Sequence, residues 1–476
     1  MPGKIDLKTK RKQEEKMKKF WIVLLSVALI MAFTLPVSAA DVKFSGSYIA
    51  QGYYDNNRTL LKEGGMSVMN TWQRLRLQTD FKIQEGLSLT TRFDAMEKIW
   101  GASRSATYAT TYNTSGWQNT GSGEAENIKF QHVYVTANLW GGVLKVGYQA
   151  QGAWGTAFGD YTDTAYGPRV AYIYATGPWT FLAIYDKVEG SEYYSPTGPS
   201  GNIGNSLYQV DQEGDKPAVA FMYKWDKGNT GFLFQYLNDS WTAGTNPNPV
   251  TDTGYKRQWY VFAPYVKAQL GSVYVESELI YLAGKTRKYE TAGMGTDMTK
   301  DGLAFYASAT YDFAPMYAGL TLIYSAGNDT GTVDKDESGW PGAPDFNPML
   351  LLFNYDLARW NGSIGNPANS ATAVTGTSIA NAQIVQLFAG VKPMPKLDVK
   401  ASYAIAQADK DGASVNWQSK NYGSEFDLTA TYKIYDNLSY MVGFAYLWAG
   451  DYFKGTNSGA EIDNDYLVTH KLTLTF

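Results

Sequence analysis

Apolar and polar residues alternate with a period of two along most of the chain after residue 40. From Arg74 the text reads RLRLQTDFKI: Leu75, Leu77, Thr79, Phe81 and Ile83 share one face, and Arg74, Arg76, Gln78, Asp80 and Lys82 share the other. Successive side chains of a strand point to opposite faces, so this ribbon has one apolar and one polar wall. Gln84, Glu85 and Gly86 predict a tight turn. Leu87, Leu89, Thr91, Phe93 and Ala95 then continue the apolar row, against Ser88, Thr90, Arg92 and Asp94. The same hairpin text recurs. Val133, Val135, Ala137 and Leu139 lead through Gly141 and Gly142 into Leu144, Val146 and Tyr148; Phe426 to Ile434 turn at Tyr435, Asp436 and Asn437 into Leu438 to Trp448.

Connections alternate in length. Short turns are predicted near 84–86, 140–142, 177–178, 226–229, 270–271, 314–316, 393–396 and 435–437. Long Gly/Asn/Ser/Asp segments fall near 55–69, 101–124, 151–168, 189–215, 239–255, 284–301, 327–378, 408–423 and 449–465. Eight turns and nine loops join eighteen strands, or sixteen if one pair is miscounted. A soluble sandwich has no reason to collect its long loops at one end, whereas a transmembrane barrel does. In lipid every backbone polar group must be paired internally, so a sheet spans only by closing on itself, with apolar side chains outward. The expected fold is an all-β, antiparallel, up-and-down transmembrane barrel over residues 41–476. Pro348 to Tyr355 (PMLLLFNY) reads either as a strand or as a loop tucked against the barrel. Aromatics at strand ends (Tyr53, Tyr54, Trp100, Trp140, Trp179, Trp225, Trp448) suit interfacial girdles.

Composition narrows the chemistry. The 476 residues include no cysteine, two histidines, 15% aromatics and 18% charged residues. Disulfide frameworks, thiolate metal sites and cysteine nucleophiles are excluded. Residues 1–40 read as a segment apart: Lys18 and Lys19, an apolar run from Phe20 to Leu35, then Pro36 and the small residues Val37 to Ala40, the order of a cleaved secretory signal peptide. Met17 would open a conventional signal. The first 39 residues hold eight of the 41 basic and three of the 45 acidic side chains, so the remainder carries a formal −9, and a nucleic-acid partner is not expected.

The chain ends Leu472-Thr473-Leu474-Thr475-Phe476, and this alternation with a terminal Phe resembles the C-terminal signature of outer-membrane barrels. Together with NIKFQHVYVTANLWGGVLKVGYQ (Asn127 to Gln149) and RLRLQTDFKI, it is similar to Gram-negative porins. The resemblance implies a pore for small hydrophilic solutes in the outer membrane, a homotrimer, and a third long loop folded inward. Here that loop is Ala150 to Gly167, which carries Asp160 and Asp163 and no basic residue.

Candidate pore-lining residues follow from parity. Arg74, Arg76, Lys82, Arg92, Asp94 and Lys145 fall on the polar wall, Arg169 opens the strand after the third loop, and Glu276 and Glu278 share lumen parity later. Acids on the loop facing guanidinium groups on the wall would set a transverse field, which favours polar and charged solutes. The plainer reading is mutual neutralisation inside the barrel, as Arg92 and Asp94 would give. Asp409 and Asp411 look like the opening of a calcium loop without its closing Glu. His132 shares the lumen face, whereas His470 shares the outward face with Leu472 and Leu474. Two mismatched histidines supply no nucleophile–base set, so an enzyme is not expected, nor a bound cofactor. The rival from another class is a structural sleeve around a threaded partner such as an electron-carrying cytochrome.

Overall fold

A computed structural model describes residues 41–101, 128–194, 209–240, 255–289, 293, 295–329, 331–365, 374–375, 378–412 and 416–476. The expected signal segment, residues 1–40, lies outside the described residues. The first nine strands are β1 (Asp41–Asp55), β2 (Val68–Gln84), β3 (Leu87–Ile99), β4 (Ile128–Leu139), β5 (Gly142–Ala150), β6 (Tyr166–Thr176), β7 (Trp179–Tyr194), β8 (Gln209–Trp225) and β9 (Gly228–Ser240). They are followed by β10 (Tyr255–Leu270), β11 (Val273–Tyr289), β12 (Met298–Phe313), β13 (Met316–Ser325) and a two-residue β14 (Lys335–Asp336). A short helix α1 (Tyr355–Asn361) precedes β15 (Ala382–Met394), β16 (Leu397–Gln407), β17 (Asn421–Tyr435), β18 (Leu438–Ala449) and β19 (Asp465–Thr475).

Each long strand pairs antiparallel with its sequence neighbours, and β13 pairs directly with β15 because β14 only fringes β12. The ring closes where β1 pairs with both β2 and β19, from Ser47 opposite Thr475 to Asp55 opposite Leu467. Leaving out β14, eighteen strands form the barrel, as the alternation of turns and loops predicts. All eight short turns fall where expected. Phe476 is part of the closure: its N–H donates to Gly46 O at 3.1 Å and its carbonyl accepts from Gly46 N at 2.8 Å. Among the described residues no helix is long and apolar enough to cross a membrane.

The outward face is apolar and open. Phe44, Phe130, Val135, Val146, Phe181, Phe221, Leu387, Ile405, Val442 and Val468 are all exposed there. Trp100, Trp140, Trp179 and Trp448 are exposed too, consistent with a girdle, but Tyr53 is not: it is buried inside the ring. His470 is outward, its ring beside that of Tyr440.

The interior departs from a uniformly wet lumen. Inward-facing Trp72, Ile280, Leu282, Ile323, Ile384 and Leu467 pack against loop residues Leu60, Phe158, Leu351, Phe353, Trp360 and Phe453 in one buried apolar cluster. Along β11 the inward column runs Glu276, Glu278, Ile280, Leu282, from acid to apolar as it approaches the long-loop end. The segment from Pro348 is therefore a tucked loop, not a strand. It belongs to the long connection between β13 and β15, the seventh long loop. Three successive N–H groups, of Leu350, Leu351 and Leu352, converge on the Glu425 carboxylate at 2.9, 2.7 and 2.7 Å. Gln386 holds Pro348 O at 2.7 Å. Asn354 then caps α1, its Oδ1 accepting from Leu357 N at 2.8 Å, and Trp360 stacks on Trp72 with centroids 4.7 Å apart.

Glu425 thus accepts from three main-chain donors that the loop brings inside the barrel. Glu425→Ala should strand those three donors at a cost on the order of 3 kcal/mol. The expected outcome is faster proteolytic cleavage within residues 341–365 of the folded protein, with β-sheet circular dichroism retained; cleavage no faster than in the parent chain would refute the anchoring role.

Candidate functional site

The candidate site is built on the inward face of β2, β3 and β4, where alternation places charged side chains at a height that the loops reach. Arg76 is its centre. Its Nε and Nη2 hold the two Asp94 oxygens at 2.7 and 3.0 Å, and its Nη1 reaches Asp163 Oδ1 at 2.5 Å. A planar guanidinium matches a carboxylate edge with two parallel bonds, which fixes both groups. Gln131 on β4 adds a third donor to Asp94 at 2.6 Å. Arg92 donates Nη1 to the same Asp163 oxygen and Nη2 to Thr162 O, both at 3.3 Å. Arg74 lies 3.9 Å from Glu97, which also pairs with Arg359 of α1. Four guanidinium groups therefore meet three carboxylates, Asp94, Glu97 and Asp163. Arg74 Nε, Arg92 Nε and His132 Nε2 are buried with no hydrogen-bond partner among the described residues.

The third loop touches the ring at two opposed places. At one end Asp163 meets β2 and β3. At the other, Thr156 donates its N–H and its Oγ1 to Glu278 Oε2 of β11 at 2.7 and 2.6 Å. In the ring β11 stands nine strands from β2. Gly155, with φ +75°, and Gly159 permit this approach, since a Cβ at either would lie 2.2 Å from Glu278 Oε1. Trp154 Nε1 donates to Ala263 O of β10 at 2.8 Å. The third and seventh loops also bind each other: Ala343 N donates to Phe158 O at 2.8 Å, and Tyr161 OH to Pro341 O.

The eleven candidate pore-lining residues separate into distinct environments. Arg74, Arg76, Arg92, Asp94 and Asp163 come together as described. The expected transverse arrangement is corrected: Asp163 does not face the arginines across a gap but pairs directly with Arg76 and Arg92, because contact with two guanidinium groups lowers its energy more than separation does. Asp160 stands outside the cluster and accepts from Thr162 N at 2.9 Å, closing a local turn. Arg169 is fully engaged with Asp186 at 2.6 and 2.8 Å and with the carbonyls of Ala150 and Gln151, so it secures the root of the third loop. Lys82 is exposed near the short turn into β3, well below the cluster. Lys145 sits over the Tyr134 ring, 5.6 Å from its centroid. Glu276 accepts from Tyr306 OH at 2.6 Å and Tyr274 OH at 3.2 Å.

Asp409 accepts from Gly327 N at 3.0 Å and from Gln383 Nε2 at 3.1 Å, a loop-securing role, and Asp411 is exposed. Among the described residues no group of three or more acids or histidines is placed to hold a metal. Alternation alone did not single out Glu97, Gln131, Arg359 or Asp345. Glu97 follows the irregularity at Met96, whose φ is +52°, where simple parity breaks. Arg359 and Asp345 belong to a loop with no period. Asp345 opens to water yet is enclosed by surrounding protein; that burial, with repulsion from Asp163 adding to it, pushes its carboxyl up to about 7.

No family model matches this chain, and no curated protein matches it either. Solved structures do. OccAB2 of Acinetobacter baumannii is 10% identical, with a TM-score of 0.51 over 92% of this chain and 99% of that one. OccK9 (OpdG) of Pseudomonas aeruginosa is 12% identical, with a TM-score of 0.49 over 91% and 99%. OmpT of Vibrio cholerae, an outer membrane protein in its trimer form, is 11% identical, with a TM-score of 0.41 over 92% and 100%. At such identities the likeness is one of architecture, carried by the first of the three. The fold of this chain is that of the Gram-negative outer-membrane porin barrels.

Proposed function

We propose that the protein is an outer-membrane channel through which small hydrophilic solutes and ions diffuse passively, with its selective region along the β2–β4 wall. The observation that carries this reading is a closed ring with an apolar exterior and a charged, arginine-rich interior stretch bordered by two inward-reaching loops. The third and seventh loops occupy the interior that a threaded partner would need, which takes support from a sleeve role. Catalysis draws no support either, because His132 stands opposite Arg92 and His470 points outward. A homotrimer is part of the same proposal, on the resemblance to porins.

Purified protein in a planar bilayer should give stable, roughly ohmic conductance steps, and a persistently silent bilayer after verified insertion would refute the channel. Replacing Arg74 and Arg92 by Ala leaves the Arg76–Asp94 pair in place and removes two fixed positive charges. The reversal potential in a salt gradient should then shift toward cation selectivity, because the local anion concentration falls.

A pH effect follows from Asp345. Its carboxyl is ionised above about 7 and takes up a proton below it. As pH falls through that value the seventh loop loses one negative charge near Asp163, so anion permeability should rise relative to cation permeability. In Asp345→Asn this step should be absent; the same pH dependence in that variant would assign the titration elsewhere.

A further inference from the structure

The seam that closes the barrel carries a feature the channel reading does not use. β1 ends on Asp55 and β19 begins on Asp465, on paired strands, with Asn56 N donating to Tyr466 O at 3.0 Å. Both side chains are completely enclosed, at 0% and 1% exposure, and their carboxyl groups adjoin. Asp465 Oδ1 accepts from Asn57 N at 2.7 Å, and the two carboxyl groups lie within hydrogen-bonding reach of each other. Both oxygens of Asp55 and Oδ2 of Asp465 have no other hydrogen-bond partner among the described residues.

Most other buried acids of the ring meet a cation or main-chain donors, although Glu425 also adjoins a second buried acid, Asp427. Asp94 has Arg76 and Gln131, Asp186 has Arg169, Asp239 has Arg257, Glu278 has Thr156, and Glu425 has three N–H groups. Two adjoining carboxylates out of water need positive charge or a shared proton between them. Arg58 is near enough to act on Asp55 through its charge, and its Nε points to Ser363 O at 3.5 Å. Tyr53, Asp356 and Tyr466 are the other titratable groups around the pair.

We propose that Asp55 and Asp465 form a divalent-cation site, of the calcium class, that ties the first strand to the last at the long-loop end of the barrel. Hard cations take oxygen ligands, and calcium accepts carboxylates in one- or two-oxygen modes together with main-chain carbonyls. Three unpartnered carboxylate oxygens supply that donor type. The carbonyls of Leu61 and Asn464 border the same turn, where each accepts from Asn57 Nδ2, at 3.2 and 3.4 Å, and each keeps a second lone pair.

The test uses the full folded chain in detergent after treatment with a chelator. Calcium should raise the thermal unfolding midpoint by several degrees, since a ligand of the folded state alone stabilises it. Terbium should bind with luminescence excited through Tyr53 and neighbouring aromatics. Both responses should vanish in Asp55→Asn, which keeps the size of the side chain, and in Asp465→Asn, and should persist in Asp409→Asn/Asp411→Asn. Indifference of the parent chain to both ions would overturn the site, as would an undiminished response in Asp55→Asn. A midpoint that ignores cations but falls as pH rises over roughly pH 5 to 9 would assign the pair a shared proton instead.

Discussion

Everything in this molecule depends on the pairing of its first strand with its last. An open sheet in hydrocarbon would leave a row of N–H and C=O groups without partners, each costing several kcal/mol. The register from Ser47–Thr475 to Asp55–Leu467, with the reciprocal Gly46–Phe476 bonds beyond it, removes that edge. Closure then sorts the side chains. Outward positions over the middle of the strands are apolar and exposed, whereas inward positions are released from that pattern and carry the arginine–carboxylate clusters. The alternation of the sequence is the imprint of that sorting.

Inside the ring a second constraint operates, the same need for partners applied to loops instead of strands. A loop that enters the barrel brings main-chain N–H groups that leave water. Glu425 answers those of Leu350 to Leu352, and Glu278 answers that of Thr156. Each carboxylate is in turn made tolerable by the donors it receives. The apolar residues of the same loops cover Ile280, Leu282, Ile384 and Leu467, so the long-loop half of the interior is packed as a protein core. The arginine-rich wall stays beside this core because Trp360 and Arg359 of α1 lean on Trp72 and Glu97, while Asp163 bridges Arg76 and Arg92.

The strands, the turns, the strand number and the sign of each face were legible in the chain. They depend on local periodicity and on turn chemistry, which short stretches of sequence carry in full. Leu75 against Arg76, or Val468 against Thr469, declares its side of the sheet without reference to any distant residue. The interior was legible only in part. Glu276, Glu278, Ile280 and Leu282 share one inward column, and its passage from acid to apolar was a readable sign that the barrel is not wet along its whole height.

Which inward groups meet was decided by tertiary structure alone. Parity gives the face of a residue but neither its height nor its neighbour across the lumen. Asp160 and Asp163 are equivalent in sequence terms, yet only Asp163 reaches the arginines, while Asp160 closes its own turn. Arg169 shares the chemistry of Arg76 but is spent on Asp186 and on two carbonyls at the loop root. Arg359 and Glu97 lie 262 residues apart in the chain and meet only because a non-repeating loop crosses the interior. The sequence by itself determined a closed membrane sheet, since hydrophobic period is a local property. The pairing of charges within it was left to the tertiary structure, because the loops that bring those charges together follow no period.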